Sequence, residues 1–339
     1  MTEQTKIPLP GQPPERKAAS SVERAIQGFD LSRLGGIAAP LPAETPRRVV
    51  MRELTIEPAA VPAPAAPAPL AAAPGGAPVP VAPAQPAIAV HAVKFSDVRH
   101  PVDRGHLREA GMIVPEGSVT ALLEEFRIVK RQLLLQAGQL RASLGAAAQR
   151  VLVCSPLPGE GKTWTSTNLA LAIAAEKESE VVLVDADFAK PSILSTLGLP
   201  GGPGLMDALS DPAIDVADFV IGTDIPGLWV LPAGNATTSD TEYLASSRTR
   251  QVLDRLTEGA PQRMVIFDSP PALAASPAAE LAKYVGQALV VARADRTGQS
   301  ALEDAIALLG GCPNIQLLLN AVQFSPSGRR FGSYYGYTG

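Results

Sequence analysis

Cysteine is nearly missing from this 339-residue chain: Cys154 and Cys312 are the only two. Each lies at the end of or near an apolar run. A disulfide framework needs more, so the chain reads as one suited to a reducing cytosol, with both thiols as small core residues. Histidine is as scarce. His91, His100 and His106 have no Cys/His partners at ligand spacing, which argues against a structural zinc. Long apolar runs are lacking too. No stretch of about 18 apolar residues is free of charge and proline, so no transmembrane helix is expected. The first residues, Met1-Thr-Glu-Gln-Thr-Lys-Ile-Pro8, lack the apolar core of a signal peptide. There is no basic excess. A net charge of −4 argues against a general nucleic-acid binder. Residues 1–120 hold 12 Lys/Arg against 11 Asp/Glu and residues 121–339 hold 17 against 22, so the acidic excess lies in the second part.

What is present divides the chain into three. Residues 1–106 read as a mostly disordered lead. Within it, Val22, Ile26, Phe29 and Leu34 fall roughly along one face of a short amphipathic helix over 20–34, closed by Gly35-Gly36. Residues 58–87 carry 10 prolines, 13 alanines and no charge, the composition of an extended, semi-rigid linker. From Leu107 the pattern changes. Leu122, Phe126, Val129 and Leu133 mark a strong amphipathic helix. Apolar runs at 150–154, 181–185, 228–231, 264–268, 288–292 and 315–319 then alternate with helical patterns near 162–177, 240–257, 276–284 and 299–309. Strands separated by helices predict βαβ units and a mostly parallel sheet covered on both faces. The expected fold is one doubly wound α/β domain of P-loop NTPase type over 107–322. Residues 323–339 follow as a flexible tail holding Tyr334, Tyr335 and Tyr337.

Val151-Leu-Val-Cys154 supplies a strand, Ser155-Pro-Leu-Pro-Gly-Glu-Gly161 a glycine-rich turn, and a helix is expected from Lys162. That is the context of a phosphate-binding loop. Pro158, Gly159, Glu160, Gly161, Lys162, Thr163 and Trp164 are the candidate nucleotide-binding residues. Gly159 and Gly161 let backbone N–H groups close around phosphate oxygens, Lys162 reaches the β/γ-phosphates, and Thr163 offers its hydroxyl to Mg²⁺. Pro156 stands where the motif has its first glycine. Two apolar runs end in acids: Val181-Val-Leu-Val-Asp185-Ala-Asp187 and Met264-Val-Ile-Phe-Asp268. Ligands bind beyond the carboxyl ends of parallel strands, so both should face the phosphate loop. One acid after a strand is more often a helix cap; three in one nucleotide-binding domain favour chemistry. Thr163, Asp187 and Asp268 are the candidate metal set, hard oxygen donors suited to Mg²⁺. A remaining acid, Asp185, can take a proton from an attacking hydroxyl.

Together these motifs resemble the bacterial tyrosine kinases, P-loop proteins that phosphorylate their own C-terminal tyrosine cluster and regulate exopolysaccharide synthesis and export. Ser155–Thr163 resembles that family's Walker A, Asp185-Ala-Asp187-Phe-Ala-Lys190-Pro191 its Walker A′, and Asp268-Ser-Pro-Pro271 its Walker B. Glu124, Arg127 and Lys130 resemble the Glu-x-x-Arg-x-x-Arg motif of its ring contacts, with Lys130 replacing the last arginine. Leu317-Leu-Leu-Asn320 resembles the last strand, whose asparagine lies near the base. Ser21-Val-Glu-Arg-Ala25 and Gly111-Met-Ile-Val-Pro115 are similar to the free-standing type of exosortase-linked loci. The resemblance implies ATP as phosphoryl donor and Mg²⁺ as cofactor, with Lys162, Asp185, Asp187 and Asp268 catalytic and Tyr334, Tyr335 and Tyr337 as acceptors. It implies a homo-oligomeric ring, with an octamer one of the sizes that fit. It also implies a membrane-spanning chain-length-determinant activator, a cognate phosphatase and no nucleic acid. The protein would be cytoplasmic, recruited to the inner face of the membrane by its partner. Two other readings stay open. A partition-type ATPase of the same class carries a signature lysine where Leu157 stands here; an ATP-binding scaffold would leave the tail tyrosines unmodified.

Overall fold

The computed structural model describes residues 91–322, apart from 236, 238 and 295. The expected helix over 20–34, the linker over 58–87 and the tyrosine tail lie outside the described residues. Eight strands form one sheet: β1 (Arg99–His100), β2 (Arg150–Cys154), β3 (Glu180–Asp185), β4 (Ile221–Thr223), β5 (Leu228–Leu231), β6 (Arg263–Asp268), β7 (Gln287–Arg293) and β8 (Ile315–Asn320). Their spatial order is β1-β4-β5-β3-β6-β2-β7-β8. The six strands expected from the apolar runs are parallel to one another. The two short ones, β1 and β4, run the opposite way, because β4 pairs antiparallel with β5.

The central strands read as continuous apolar runs because both faces of the sheet are covered. The two-residue alternation divides them between two core layers. Val151, Val153, Val181, Leu183 and Ile266 pack with α2 (Ala121–Leu144) and α3 (Lys162–Ala174), against Phe126, Leu133, Leu169, Leu171 and Ile173. Leu152, Cys154, Val182, Val184 and Phe267 point the other way. They meet Leu205 of α5 (Leu205–Ser210), Leu244 of α6 (Asp240–Ala245), Leu253 of α7 (Arg248–Arg255), Leu281 of α8 (Pro277–Leu281) and Ala305 of α9 (Gln299–Leu308). Both cysteines are buried in this second layer and unpaired. The sheet is thus doubly wound, as the sequence pattern predicts. The single helix expected over 240–257 is two, α6 and α7, because Ser246 takes an extended ψ of 157° between them.

The fold begins before Leu107. Residues 91–106, read from sequence as lead, are part of the domain. Arg263, almost fully buried at the start of β6, donates to Val93 O (3.2 Å) and lies 4.2 Å from the ring centroid of Phe95. Phe95 meets Trp229 edge-on at 5.1 Å, and Arg99 stacks on the same indole at 3.9 Å. Cation–π contacts of this kind gain as they are desolvated. Asp103 then caps α1 (Arg104–Glu109) by accepting the His106 N–H at 2.9 Å. No apolar run announces this segment, since its buried Val93, Phe95 and Val102 stand apart from one another and its partners lie far along the chain.

Candidate active site

The carboxyl ends of β2, β3, β6, β7 and β8 share one edge of the sheet, and the loop from Ser155 to Gly161 lies there between β2 and α3. Gly161 at the N-cap of α3 has φ 97°, and a β-carbon on it would fall 2.1 Å from Asn320 Nδ2. Glycine is required twice over, by left-handed backbone and by close approach. Asn320, the last residue of β8, donates to Glu160 O at 2.8 Å. The segment after β6 is stitched to the same loop, with the Ala272 N–H on Ser155 O at 2.8 Å and Ser269 Oγ on Val153 O at 3.0 Å. The phosphate loop is therefore held from two sides, by the end of β8 and by the segment after β6.

The three acids lie at or just past the carboxyl ends of β3 and β6. Asp185 and Asp268 are register partners at the ends of adjacent strands, and both are buried. Thr163 Oγ1 donates to Asp268 Oδ2 at 2.6 Å, while Asp268 Oδ1 is buried with no partner among the described residues. Burial pushes the Asp268 carboxyl up to about 7. The charge of Asp185 adds to this, and the Thr163 hydroxyl and Lys162 oppose it. Burial likewise pushes Asp185 up to about 6, against the N–H groups of Ile193, Ser192 and Asp187. Asp185 Oδ2 takes the Ser192 and Ile193 N–H groups at 2.8 and 2.9 Å, and so holds the start of α4 (Ile193–Leu197). The capping role that single acids often have is real here, beside whatever chemistry the carboxylate performs. Asp187 is half-buried and its Oδ1 accepts the Lys190 N–H at 3.2 Å.

These residues fit a magnesium ion: an orphaned buried carboxylate oxygen on Asp268 lies in the same pair as a threonine hydroxyl, and hard oxygen donors are what this ion selects. Lys162, at the first position of α3, is 9% exposed, and among the described residues its ammonium enters no hydrogen bond or ion pair.

Other predicted site residues face elsewhere. The Glu160 carboxylate, buried, turns back on its own loop: Oε2 accepts the Leu157 N–H at 2.8 Å and Oε1 the Thr297 hydroxyl. The Trp164 indole turns to the other side of α3, donating to Ala110 O at 3.2 Å and meeting Phe126 edge-on. Pro158 and Gly159 are exposed at the loop tip. On α2, Arg127 and Glu124 are paired with each other, and Arg127 is half exposed. Lys130 is not a surface residue. It is buried, donates to Ala172 O at 3.1 Å near the end of α3, and pairs with Glu176 at 2.9 Å. Two residues of this edge, Arg296 and Thr297, escape the sequence reading. The signal for them is the polar stretch Arg293-Ala-Asp-Arg-Thr297 directly after β7, a strand whose end faces the same edge.

No family model matches the chain. Among curated proteins it is 30% identical over 180 residues to the tyrosine-protein kinase ptk of Acinetobacter johnsonii, covering 52% of this chain and 24% of that one. It is 29% identical over 200 residues to the tyrosine-protein kinase YwqD of Bacillus subtilis, covering 58% of this chain and 81% of that one. The matched region thus spans about a quarter of the Acinetobacter protein's length. Among solved structures, the kinase domain of the Escherichia coli tyrosine kinase ETK aligns over 67% of this chain and 96% of its own, with a TM-score of 0.53 and 22% identity, a likeness of fold. With a phosphate loop and two acid-ended neighbouring strands, the chain is similar in sequence to proteins named tyrosine-protein kinases and shares its fold with the ETK kinase domain.

Proposed function

We propose that this protein is an ATP-dependent protein-tyrosine kinase that phosphorylates tyrosines of its own tail. The observation that carries the proposal is the Thr163–Asp268 hydrogen bond beside Asp185, at the mouth of a loop whose lysine has no partner among the described residues. Three of the chain's five tyrosines, Tyr334, Tyr335 and Tyr337, lie in its last six residues. The described chain reaches Val322, two residues past the asparagine that touches the phosphate loop. Twelve further residues span up to about 40 Å when extended, so the tyrosines have the reach to enter such a site.

In this reading the loop N–H groups and Lys162 hold the β- and γ-phosphates and offset charge on the transferring group. Thr163, Asp187 and Asp268 would hold Mg²⁺, directly or through water, and the ion when bound supplies charge neutralisation at the phosphates. Asp185 takes the phenol proton as the tyrosine oxygen bonds to the γ-phosphorus and the bond to the β,γ-bridging oxygen breaks, releasing ADP. Its elevated pKa brings it closer to a phenol of about 10 than an ordinary carboxylate stands. Asp187, the more exposed acid, is the alternative base. Asn320, by the resemblance of its strand to the family's last strand, would lie near the base.

The tail of one copy would enter the site of its neighbour in a ring. With Lys130 turned inward, the ring contact rests on Glu124 and Arg127, beside the exposed Ile128 and Leu135. Arg127→Ala is expected to lower the native mass of the unphosphorylated protein; an unchanged mass removes the ring. Each phosphate adds up to about two negative charges, which an acidic domain repels, so phosphorylation would loosen the assembly. The resemblance to a family associated with exopolysaccharide loci supports a role in polysaccharide export at the inner face of the membrane, with a membrane-spanning activator and a phosphatase as partners. Among the described residues no helix is long and apolar enough to cross a membrane.

The test is phosphosite mass spectrometry on the full chain incubated with Mg²⁺ and ATP. Phosphate on Tyr334, Tyr335 or Tyr337, absent from the Tyr→Phe triple variant, is the expected result. Unmodified tyrosines in a chain co-expressed with its membrane partners would leave an ATP-binding scaffold in place of a kinase.

A further inference from the structure

The turn after β7 carries a cation to the phosphate loop that neither Lys162 nor the strand-end acids account for. This turn is closed on itself. The Arg293 N–H donates to Thr297 Oγ1 at 2.8 Å, and the N–H groups of Arg296 and Thr297 return to Arg293 O at 3.2 and 3.0 Å. It is also fastened to the loop, because the Thr297 hydroxyl donates to the buried carboxylate of Glu160, whose other oxygen holds the Leu157 N–H. One buried side chain therefore sets the shape of the loop and the position of the turn together. Arg296 rides on that turn. Its Nη1 lies 4.0 Å from the place a β-carbon on Gly159 would occupy, and Gly159 has φ 78°. Among the described residues the Arg296 side chain forms no hydrogen bond and no ion pair, and it is exposed.

The electrostatics of this edge ask for such a group. Asp185, Asp187 and Asp268 face a site meant for a polyanion, and the loop itself offers neutral N–H groups and one lysine. Leu157 brings no charge. A guanidinium presents a planar fork of donors that matches two phosphate oxygens at once, and it stays charged at any working pH. The backbone turn that carries Arg296 is already braced to the phosphate loop, so only the side chain has to order when a nucleotide arrives. We propose that Arg296 contacts the terminal phosphate of the bound nucleotide, and that the Glu160–Thr297 contact is what positions it. The proposal rests on the nucleotide-binding reading of the site. It would make the loop after β7 a sensor of whether the third phosphate is present.

The experiment compares full-length wild type, Arg296→Ala and Arg296→Lys by calorimetry with ADP and with a non-hydrolysable ATP analogue, each with Mg²⁺, beside phosphate incorporation from Mg·ATP. Arg296→Ala is expected to lower the preference for the triphosphate over ADP about tenfold while ADP binding holds, and to cut incorporation about a hundredfold; Arg296→Lys recovers part of both. Thr297→Val, which frees the turn without touching the cation, is expected to weaken the preference by a smaller factor. An unchanged triphosphate preference in Arg296→Ala overturns the proposal, as does a wild type that binds neither nucleotide. A lowered preference in a wild-type background that incorporates no phosphate upholds the contact and sinks the kinase reading, so the two fail separately.

Discussion

Lys162→Met is expected to abolish tail phosphorylation, with a fall of a thousandfold or more. The side chain is buried at the first position of α3, and among the described residues its ammonium has no protein partner, so its charge is available to a ligand. It is felt at the acids: Lys162 is one of the groups that hold Asp268 down against burial. Methionine keeps most of the length and the apolar stem and deletes the ammonium with its charge and donors. The packing of α3 should survive, and circular dichroism and melting temperature should stay near wild type. What is lost is a cation at the phosphates as charge moves onto the leaving group, where a preorganised donor is worth about 3–4 kcal/mol and more when it is a full charge in a partly dry site. Nucleotide affinity should drop less, by about ten- to a hundredfold, since the loop N–H groups and the helix terminus remain. Retention of a tenth or more of wild-type incorporation by Lys162→Met would remove this lysine from the mechanism.

How far the sequence carries depends on the kind of contact. Strands β2, β3, β6 and β7 are buried on both faces, so each is a run of apolar residues that no turn or exposed helix imitates. Their order in the chain and the requirement for crossover helices then place every strand-end acid on one edge. The site was legible for that reason. The segment 91–106 was not, because Arg263 reaches Val93 across 170 residues and Arg99 stacks on Trp229, and neither pairing leaves a periodic trace. The short strands β1 and β4, two and three residues long, carry too few positions to show a pattern. Lys130 illustrates a different failure. The motif resemblance groups it with Glu124 and Arg127, yet each step of three falls about 60° short of a full turn, so Lys130 lies about 120° around α2 from Glu124. That rotation brings its ammonium to the carbonyl end of α3, where a cation is favoured. Glu160 is the converse case. A loop residue between two glycines reads as a ligand contact, and only the fold reveals Thr297 beside it.

Asp268→Asn should separate two properties of the same carboxylate. Its Oδ2 accepts the Thr163 hydroxyl and its Oδ1 is buried without a partner among the described residues, an arrangement that suits a metal-bound water or ion. The amide is nearly isosteric but neutral, and it turns one acceptor into a donor. Phosphate incorporation should fall about a thousandfold, with the apparent magnesium requirement raised. Stability without nucleotide should move the other way. The Asp268 carboxyl sits at about 7 in the folded protein and near 3.9 in an unfolded chain. Between those values the folded state keeps a proton that the unfolded state gives up. The stability from this group is therefore complete below about pH 4 and is lost as pH rises through about 7, by roughly 2–4 kcal/mol. Asp185, at about 6, adds a smaller loss of the same sign over a lower window. Melting temperatures of the nucleotide-free wild type should thus decline from pH 5.5 to 8.5, and Asp268→Asn, with nothing to ionise there, should decline less and be the more stable protein at pH 8.5. Mg²⁺ with ATP should restore the wild type at high pH, because the ionised carboxylate then has a cation beside it, and should do little for the variant. Parallel melting curves for the two proteins across that range would mean that Asp268 is already ionised in the empty site, and the burial argument for its raised pKa would fail. A buried carboxylate with one oxygen unpartnered among the described residues costs stability as it ionises; the pH series measures that cost directly, without any assay of phosphotransfer.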